Sequence, residues 1–284
     1  MISYDRVQEL KIIAARVRES IIEMLVSAGS GHTAGPLGFT DVLVALYFQT
    51  MKHNPKNPSW EHRDRFLLSH GHICPALYAT MAHAGYFSKA ELLTLRSFGS
   101  RLQGHPHREY LPGIETSSGP LGCGISQGVG MALGLQLQKN PARVFVGISD
   151  GELQEGNTWE ALMLAAHYKL TNFVIILDRN HIQIDGFTEN IVGLDPVADK
   201  MRAFNYEVAE VDGHNFEELE KVLHQKNTSG RPLFVIAHTT PGKGVKAFEN
   251  KFEWHGKPPV DKEAYDALAS LRSLEGALVA PHHH

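Results

Sequence analysis

The sequence predicts an α/β fold in which a parallel sheet is covered by helices on both faces. Short apolar segments rich in Val and Ile occupy residues 143–148, 173–178, 206–211 and 233–237, with helical patterns between them. Strands that are buried on both faces are apolar throughout instead of alternating with polar residues, as these segments are. The regular succession of strand and helix requires parallel strands that are joined by helical crossovers.

The composition is that of a folded protein with its own core. The 284 residues carry 27 Lys and Arg against 31 Asp and Glu, and hydrophobic residues make up 43% of the chain. A chain of this length buries a core without disulfides. The slightly acidic balance and the lack of a long basic run argue against nucleic acid as a partner, and the apolar runs are too short for a membrane span. With only two cysteines, Cys74 and Cys123, and no leader-like start, a reduced cytoplasmic protein is expected.

The first half of the chain is expected to supply mainly helices. Apolar residues spaced three and four apart predict a helix from Val7 to Leu25, which Gly29 ends. The next elements are expected to be a helix over 40–48, a strand over 66–68, and helices over 74–84 and 88–96. Residues 99–124 are rich in Gly and Pro and predict a loop, and small residues then predict a helix to about Lys139.

The second half is expected to continue the same domain. Helices are predicted between the apolar strands, over 157–168, 196–204 and 215–226. Residues 1–272 are therefore predicted to form one domain. Residues 273–284, which end in consecutive histidines, are interpreted as an appended tail that carries part of a histidine tag.

Polar residues follow two neighbouring predicted strands. Asp150 comes after the strand at 143–148, and Asn180 comes after the strand at 173–178. Open parallel sheets bind ligands at the carboxyl ends of their strands, and oxygen ligands of this kind suit Mg²⁺ or Ca²⁺. Both residues also fit ordinary turns after strands, and their spacing alone leaves the two interpretations open.

Two further patterns admit a ligand. The Gly-rich segment 116–124 leads into a helix, where backbone N–H groups can bind an anion such as a diphosphate. Close packing of small residues explains the same segment. The pairs His70–His72 and His105–His107 have a spacing that admits a zinc site, although no further ligand is obvious beside them.

Several segments, taken in order, resemble the thiamine-diphosphate-binding N-terminal domain of transketolases. They are Ser30-Gly-His32, Asp64–His72, Gly104-His105-Pro106, Gly119–Gly122, and Asp150–Gly156 continued to Asn180. The Asp-Gly…Asn pair resembles thiamine-diphosphate enzymes in general, whereas the histidine segments resemble transketolases in particular. The resemblance covers about residues 5–272 and implies the diphosphate-binding α/β fold of that family.

The resemblance also implies roles for individual residues. The divalent metal, Mg²⁺ or else Ca²⁺ or Mn²⁺, would be bound by the side chains of Asp150 and Asn180 and the carbonyl of Ile182. Thiamine diphosphate would contact the same residues together with His72, Gly119, Pro120, Leu121, Gly151 and His255. Catalysis would involve His32, His72, His105, His255 and Glu155, the last linking paired active sites across a subunit interface.

The implied reaction is transfer of a two-carbon ketol unit from a ketose or its phosphate to an aldose or its phosphate, as in the pentose phosphate pathway. Complete transketolases also carry a pyrimidine-binding domain, which provides a glutamate that activates the cofactor, and a C-terminal domain. The chain therefore resembles the N-terminal subunit of a split transketolase, paired with a C-terminal subunit in an α2β2 heterotetramer. The alternatives are an α-type subunit of a 2-oxo acid dehydrogenase, a 1-deoxyxylulose-5-phosphate synthase-type subunit, or a non-catalytic cofactor-binding homologue.

Overall fold

A five-stranded parallel sheet lies at the centre of the chain, which the structure, a computed structural model, describes over residues 2–224 and 227–279. Its strands are β1 (Arg65–Leu68), β2 (Val144–Ser149), β3 (Phe173–Arg179), β6 (Glu207–Asp212) and β7 (Leu233–His238). Their order across the sheet is β1-β2-β3-β7-β6. The short strands β4 (Ile182–Gln183) and β5 (Gly186–Phe187) pair as a separate antiparallel hairpin.

Helices cover both faces of this sheet. They are α1 (Tyr4–Ala28), α2 (Ala34–Ala45), α3 (Cys74–His83), α4 (Cys123–Leu137), α5 (Gly156–His167), α6 (Thr188–Ile191), α7 (Val197–Ala203), α8 (Phe216–His224) and α9 (Asp261–Val279). None of the helices in the described part of the chain combines the length and the apolar character that a bilayer crossing needs.

The strands divide their side chains between two apolar layers, because successive residues point to opposite faces. On one face, residues such as Phe145 and Val174 join the layer formed with α1, α2, α3, α8 and α9. On the other face, residues such as Val146 and Ile175 join the layer formed with α4, α5 and α7. The predicted α/β fold, with helices on both faces of a parallel sheet, is therefore confirmed.

Two of the predicted helices differ from the structure. Helix α2 begins at Ala34, well before the expected Thr40, and every residue from Ala34 to Ala45 is buried. Gly and Pro lower the intrinsic helix propensity of this segment, so packing and not propensity sets its start. The helix predicted over 88–96 is a short 3₁₀ helix over Lys89–Thr94.

The C-terminal segment continues the fold beyond residue 272. Helix α9 extends to Val279, and it packs along α1, where Arg16 Nε donates to Glu275 Oε1 at 2.6 Å. The structure therefore shows no break at the boundary that was expected between the domain and an appended tail. The histidines predicted to belong to a tag lie in 280–284, outside the described residues.

A buried ion pair joins α1 to α2. Nη1 and Nη2 of Arg18 donate to the two carboxylate oxygens of Asp41 at 3.0 and 2.7 Å. His214 Nε2 accepts the N–H of Thr240, so its Nδ1 donates to Asp41 Oδ2 at 2.7 Å. Burial alone would raise the pKa of Asp41, but the Arg18 charge and the hydrogen bonds from His214 and Arg18 lower this pKa to about 2.

Asp41→Asn is expected to reduce the free energy of unfolding at pH 7 by about 3–5 kcal/mol, because it leaves the buried Arg18 cation without its counter-charge. The folded-state pKa lies below the ordinary value of 3.8. The contribution of the charge is therefore present above that value and is lost as the pH falls through about 2. Urea unfolding at a series of pH values between about 2 and 7 measures the difference in the free energy of unfolding between the variant and the wild type.

Asp199→Asn is the matched control, because Asp199 forms an exposed pair with Arg202. We expect this variant to unfold like the wild type. An Asp41→Asn variant with unchanged stability at pH 7 would contradict the assigned role of the buried pair.

Candidate active site

A cleft of about 350 Å³ opens at the edge of the sheet where β1, β2 and β3 end. His72 lines it beyond β1, Gly151 beyond β2 and Asn180 beyond β3. A second cavity, of about 640 Å³, lies at the opposite edge beside Asp64 and Arg143. None of the predicted site residues, all of which the structure describes, lines that second cavity. The cleft is therefore the candidate site, in the position where parallel sheets bind ligands.

An imidazole cluster, formed by His32, His72 and His255, lies in this cleft. The ring centroids are 4.9 Å apart for His32 and His72, 5.2 Å for His72 and His255, and 5.5 Å for His32 and His255. Burial, joined by the charge of His255, lowers the pKa of His32 to about 4. Burial also lowers the pKa of His72, well below the ordinary value, and that of His255. All three rings are therefore neutral at pH 7, and each offers one N–H donor and one acceptor nitrogen.

In each of the two histidine pairs singled out in the sequence, the two rings lie in different surroundings. His105 is exposed at the cleft and lies beside Gly119, where a Cβ would be 3.9 Å from its ring. His107 instead stacks on Tyr110, with the two ring centroids 4.2 Å apart. His70 is buried, and its Nδ1 contacts the Gly147 carbonyl at 2.9 Å. Among the described residues, no group of three or more His, Cys, Asp or Glu side chains is arranged to hold a metal, so the pairs do not converge on a zinc site.

Asp150 lies fully buried behind Gly151, at the end of β2. Its Oδ2 accepts the N–H of His181 at 2.8 Å, whereas its Oδ1 is buried and has no hydrogen-bond partner. Burial raises the pKa of Asp150 to about 6, and the charge of Arg179 and the His181 N–H oppose that rise. A buried carboxylate oxygen without a donor is suited to a cation.

Asn180 lies at the end of the neighbouring strand. Its Oδ1 accepts the N–H of Ile182 at 3.1 Å, and its Nδ2 donates to Asp178 Oδ2 at 2.9 Å. Both Asn180 and Ile182 line the cleft beside the buried Asp150. A carboxylate, an amide oxygen and a backbone carbonyl are hard oxygen donors, so the residues present fit a divalent metal such as Mg²⁺.

Glu152 is a further functional candidate, which no sequence pattern indicated. This buried carboxylate accepts the N–H of Gly122 at 2.7 Å, the N–H of Ser149 at 3.1 Å and the hydroxyl of Ser69. Burial raises its pKa to about 7. Since its partners follow β1, precede α4 and end β2, Glu152 joins the loops that form the cleft.

The same loops touch each other directly through glycines. A Cβ at Gly124 would lie 2.6 Å from the Cα of Ser69, and a Cβ at Gly71 would collide with the hydroxyl of Ser118. Only glycine allows so close an approach of backbone to backbone. The start of α4 is therefore packed firmly against the end of β1.

Most of the predicted site residues meet in this cleft. Those that line it are His32, His72, His105, His255, Gly119, Leu121, Gly151, Glu155, Asn180 and Ile182. Asp150 is buried behind them, and Pro120 is exposed on the loop next to Gly119. Gln154, Gln183 and Ile184 also line the cleft, although the sequence patterns did not single them out.

Known proteins match nearly the whole chain. Residues 9–273 match the family described as transketolase, thiamine diphosphate binding domain. The chain is 39% identical over 267 residues to one subunit of the apulose-4-phosphate transketolase of Phocaeicola vulgatus, a match that covers 94% of this chain and 95% of the relative. It is 40% identical over 262 residues to a 6-deoxy-6-sulfo-D-fructose transketolase subunit of Clostridium sp. strain MSTE9, covering 92% and 95% respectively.

A solved structure shows the same similarity. Transketolase from Leishmania mexicana matches with a TM-score of 0.84 at 31% sequence identity. The match covers 95% of this chain but 45% of that protein. The chain thus spans less than half the length of this solved transketolase.

Proposed function

The chain belongs to the transketolase family, as its thiamine-diphosphate-binding domain, and we propose that it is the cofactor-holding subunit of a two-chain transketolase. The reaction is transfer of a two-carbon ketol unit from a ketose to an aldose. The observation that carries this proposal is the imidazole cluster, which lies in one cleft with the edge formed by Asp150 and Asn180. The cytoplasmic location expected from the sequence is part of the proposal.

Sugars with an anionic group are the proposed substrates. One relative is named for a sugar phosphate and another for a sulfonated sugar. Both names support a ketose phosphate and an aldose phosphate as the first pair of substrates to test. Such sugar phosphates are the compounds of the pentose phosphate pathway. Two-carbon transfer between them, catalysed by this chain together with a pyrimidine-binding partner, tests the function. Absence of transfer by the cofactor-loaded pair would contradict it.

Thiamine diphosphate, when bound, supplies the ring that accepts the electron pair released by C–C cleavage. We assign its metal, Mg²⁺ or else Ca²⁺ or Mn²⁺, to Asp150, Asn180 and the Ile182 carbonyl. The unpartnered Oδ1 of Asp150 supports this assignment. The remaining cofactor contacts are proposed for His72, Gly119, Pro120, Leu121, Gly151 and His255.

The proposed work of this chain is to hold and move protons at the sugar oxygens. His32 and His255 both line the cleft, and burial lowers the pKa of each, so both are neutral rings that can bond to a hydroxyl or a carbonyl oxygen of a sugar. His105 is the most exposed of the cleft imidazoles and therefore the one best placed to meet a substrate. Glu155 is exposed at the rim, which suits its proposed contact with a second active site.

The face formed by α4 and α5, two helices that begin next to the cleft, supports a partner subunit. Helices α4 and α5 pack together and leave apolar side chains exposed, among them Leu137 at 76%, Met163 at 55% and Leu164 at 46%. Exposed apolar patches of this kind mark interaction surfaces. We assign this face to the C-terminal, pyrimidine-binding subunit, in an α2β2 assembly. The names of the two relatives as subunits support the same arrangement.

Two histidine variants are expected to separate substrate from cofactor binding. His105→Ala is expected to lower turnover by about 10²–10⁴-fold, as loss of a proton-transfer group does, with little change in cofactor affinity. His72→Ala is expected to weaken cofactor binding by about tenfold, the loss of one hydrogen bond to a charged group. Calorimetry and ketol-transfer kinetics measure the two effects. His107→Ala is the control, because this ring stacks on Tyr110, and an inverted pattern would show that the two roles are exchanged.

A further inference from the structure

Arg179 is a buried cation beside the carboxylate that we assign to the metal. It is the last residue of β3, and its side chain is 2% exposed. Its Nη1 lies 3.1 Å from Asp150 Oδ2. On its other side, Nη2 donates to Glu189 Oε1 at 2.7 Å and to Asp195 Oδ2 at 3.0 Å. The guanidinium is thus held between the metal-site carboxylate and two acidic residues of the following segment.

The contact between Arg179 and Asp150 is a charge contact without an aligned hydrogen bond. Nη1 of Arg179 and Oδ1 of Asp150 are both buried, and neither has a hydrogen-bond partner. Arg179 therefore offsets the charge of Asp150 from the Oδ2 side. Oδ1 remains without a hydrogen-bond partner, and a second cation would bind at this oxygen.

A divalent cation on Asp150 would share this carboxylate with the guanidinium. Like charges repel strongly in a buried region, where the effective dielectric is low. Arg179 is itself buried, and Glu189 and Asp195 bind the guanidinium from the other side, so it stays next to Asp150. The negative charges of a diphosphate, by contrast, would offset the repulsion.

We propose that Arg179 is a positioning residue that couples metal binding to diphosphate binding. It supplies the counter-charge of Asp150 in the absence of metal, and it weakens the binding of a bare divalent cation. Metal consequently enters together with the diphosphate. This inference rests on the proposed function, because it takes Asp150 as a metal ligand.

Mn²⁺ titration followed by electron paramagnetic resonance tests the coupling on the full chain, with and without thiamine diphosphate. Arg179→Met is expected to bind Mn²⁺ alone at least about tenfold more tightly than the wild type, because the repelling charge is gone. With thiamine diphosphate present, the affinities of Arg179→Met and of the wild type for Mn²⁺ are expected to agree within about threefold. Arg179→Lys keeps the positive charge and is expected to bind Mn²⁺ with the affinity of the wild type. Arg202→Met, from an exposed pair on α7, controls for the change in net charge.

Unchanged or weaker binding of Mn²⁺ alone by a folded Arg179→Met chain would overturn the proposal. The wild type provides a second test that needs no variant. Its affinity for Mn²⁺ alone is expected to be at least about a hundredfold weaker than with thiamine diphosphate, and similar affinities would also overturn the coupling. A wild type that binds no Mn²⁺ even with thiamine diphosphate would instead contradict the metal site of the proposed function.

Discussion

Asp150→Ala is expected to abolish Mg²⁺-dependent binding of thiamine diphosphate while leaving the fold intact. The variant removes the buried Oδ1 that has no partner within the chain, and with it the only charged donor proposed for the metal. Without the metal, the charge of the diphosphate would face the cleft unscreened. Arg179 keeps Glu189 and Asp195 as counter-charges, so the loss of Asp150 does not leave it isolated.

Calorimetric titration with Mg²⁺ and thiamine diphosphate measures this effect, and circular dichroism checks the fold. Asp185→Ala is a matched control, because it removes an exposed carboxylate from the turn of the neighbouring β4–β5 hairpin. Cofactor affinity of Asp150→Ala within a factor of about two of the wild type, well under 1 kcal/mol, would disprove the metal assignment.

The purified chain alone is expected to be catalytically silent. In transketolases, as the resemblance implies, the cofactor is activated by a glutamate of the pyrimidine-binding domain. In the described part of this chain, the acidic side chains that line the cleft are Asp178, which is buried, and Glu155, which lies at the rim. Asp178 is already engaged by Thr239 and Asn180. Asp178 is therefore not free to take the role of that glutamate, and Glu155 is the residue that we assign to the contact between paired active sites.

Proton exchange at C2 of the bound cofactor, followed by NMR, and ketol transfer measure this second effect. The isolated chain is expected to show neither acceleration of exchange nor transfer, and the pyrimidine-binding partner is expected to restore both. Exchange or turnover by the chain without a second polypeptide would place the activating carboxylate in this chain.

The strands and the edge that carries the site could be predicted because both depend on local sequence. Continuous apolar segments specify buried parallel strands, and residues after such strands share one edge of the sheet. Asp150 and Asn180 do follow two neighbouring strands, since β2 and β3 are paired. Helix α9 was missed, although Ala264, Ala267 and Leu271 have helical spacing and are buried.

The contacts that tune the site could not be predicted in this way. Glu152 acts through donors from three separate loops, and Arg179 meets Asp150 only because β2 and β3 are paired in a particular register. Such contacts depend on distances that no sequence spacing encodes. The early start of α2 has a similar origin, because burial of every residue overrides the poor helix propensity of Gly35 and Pro36.

The direct contact of Gly124 with Ser69, and of Gly71 with Ser118, bears on the speed of cofactor uptake. Loops that are packed this closely, with Glu152 hydrogen-bonded to both Ser69 and Gly122, are expected to present the same surface before and after a ligand arrives. Association that needs no rearrangement is limited by diffusion and orientation and not by a slow conformational step. Uptake by this chain is therefore expected to be a docking event, with a single kinetic phase whose rate rises linearly with cofactor concentration.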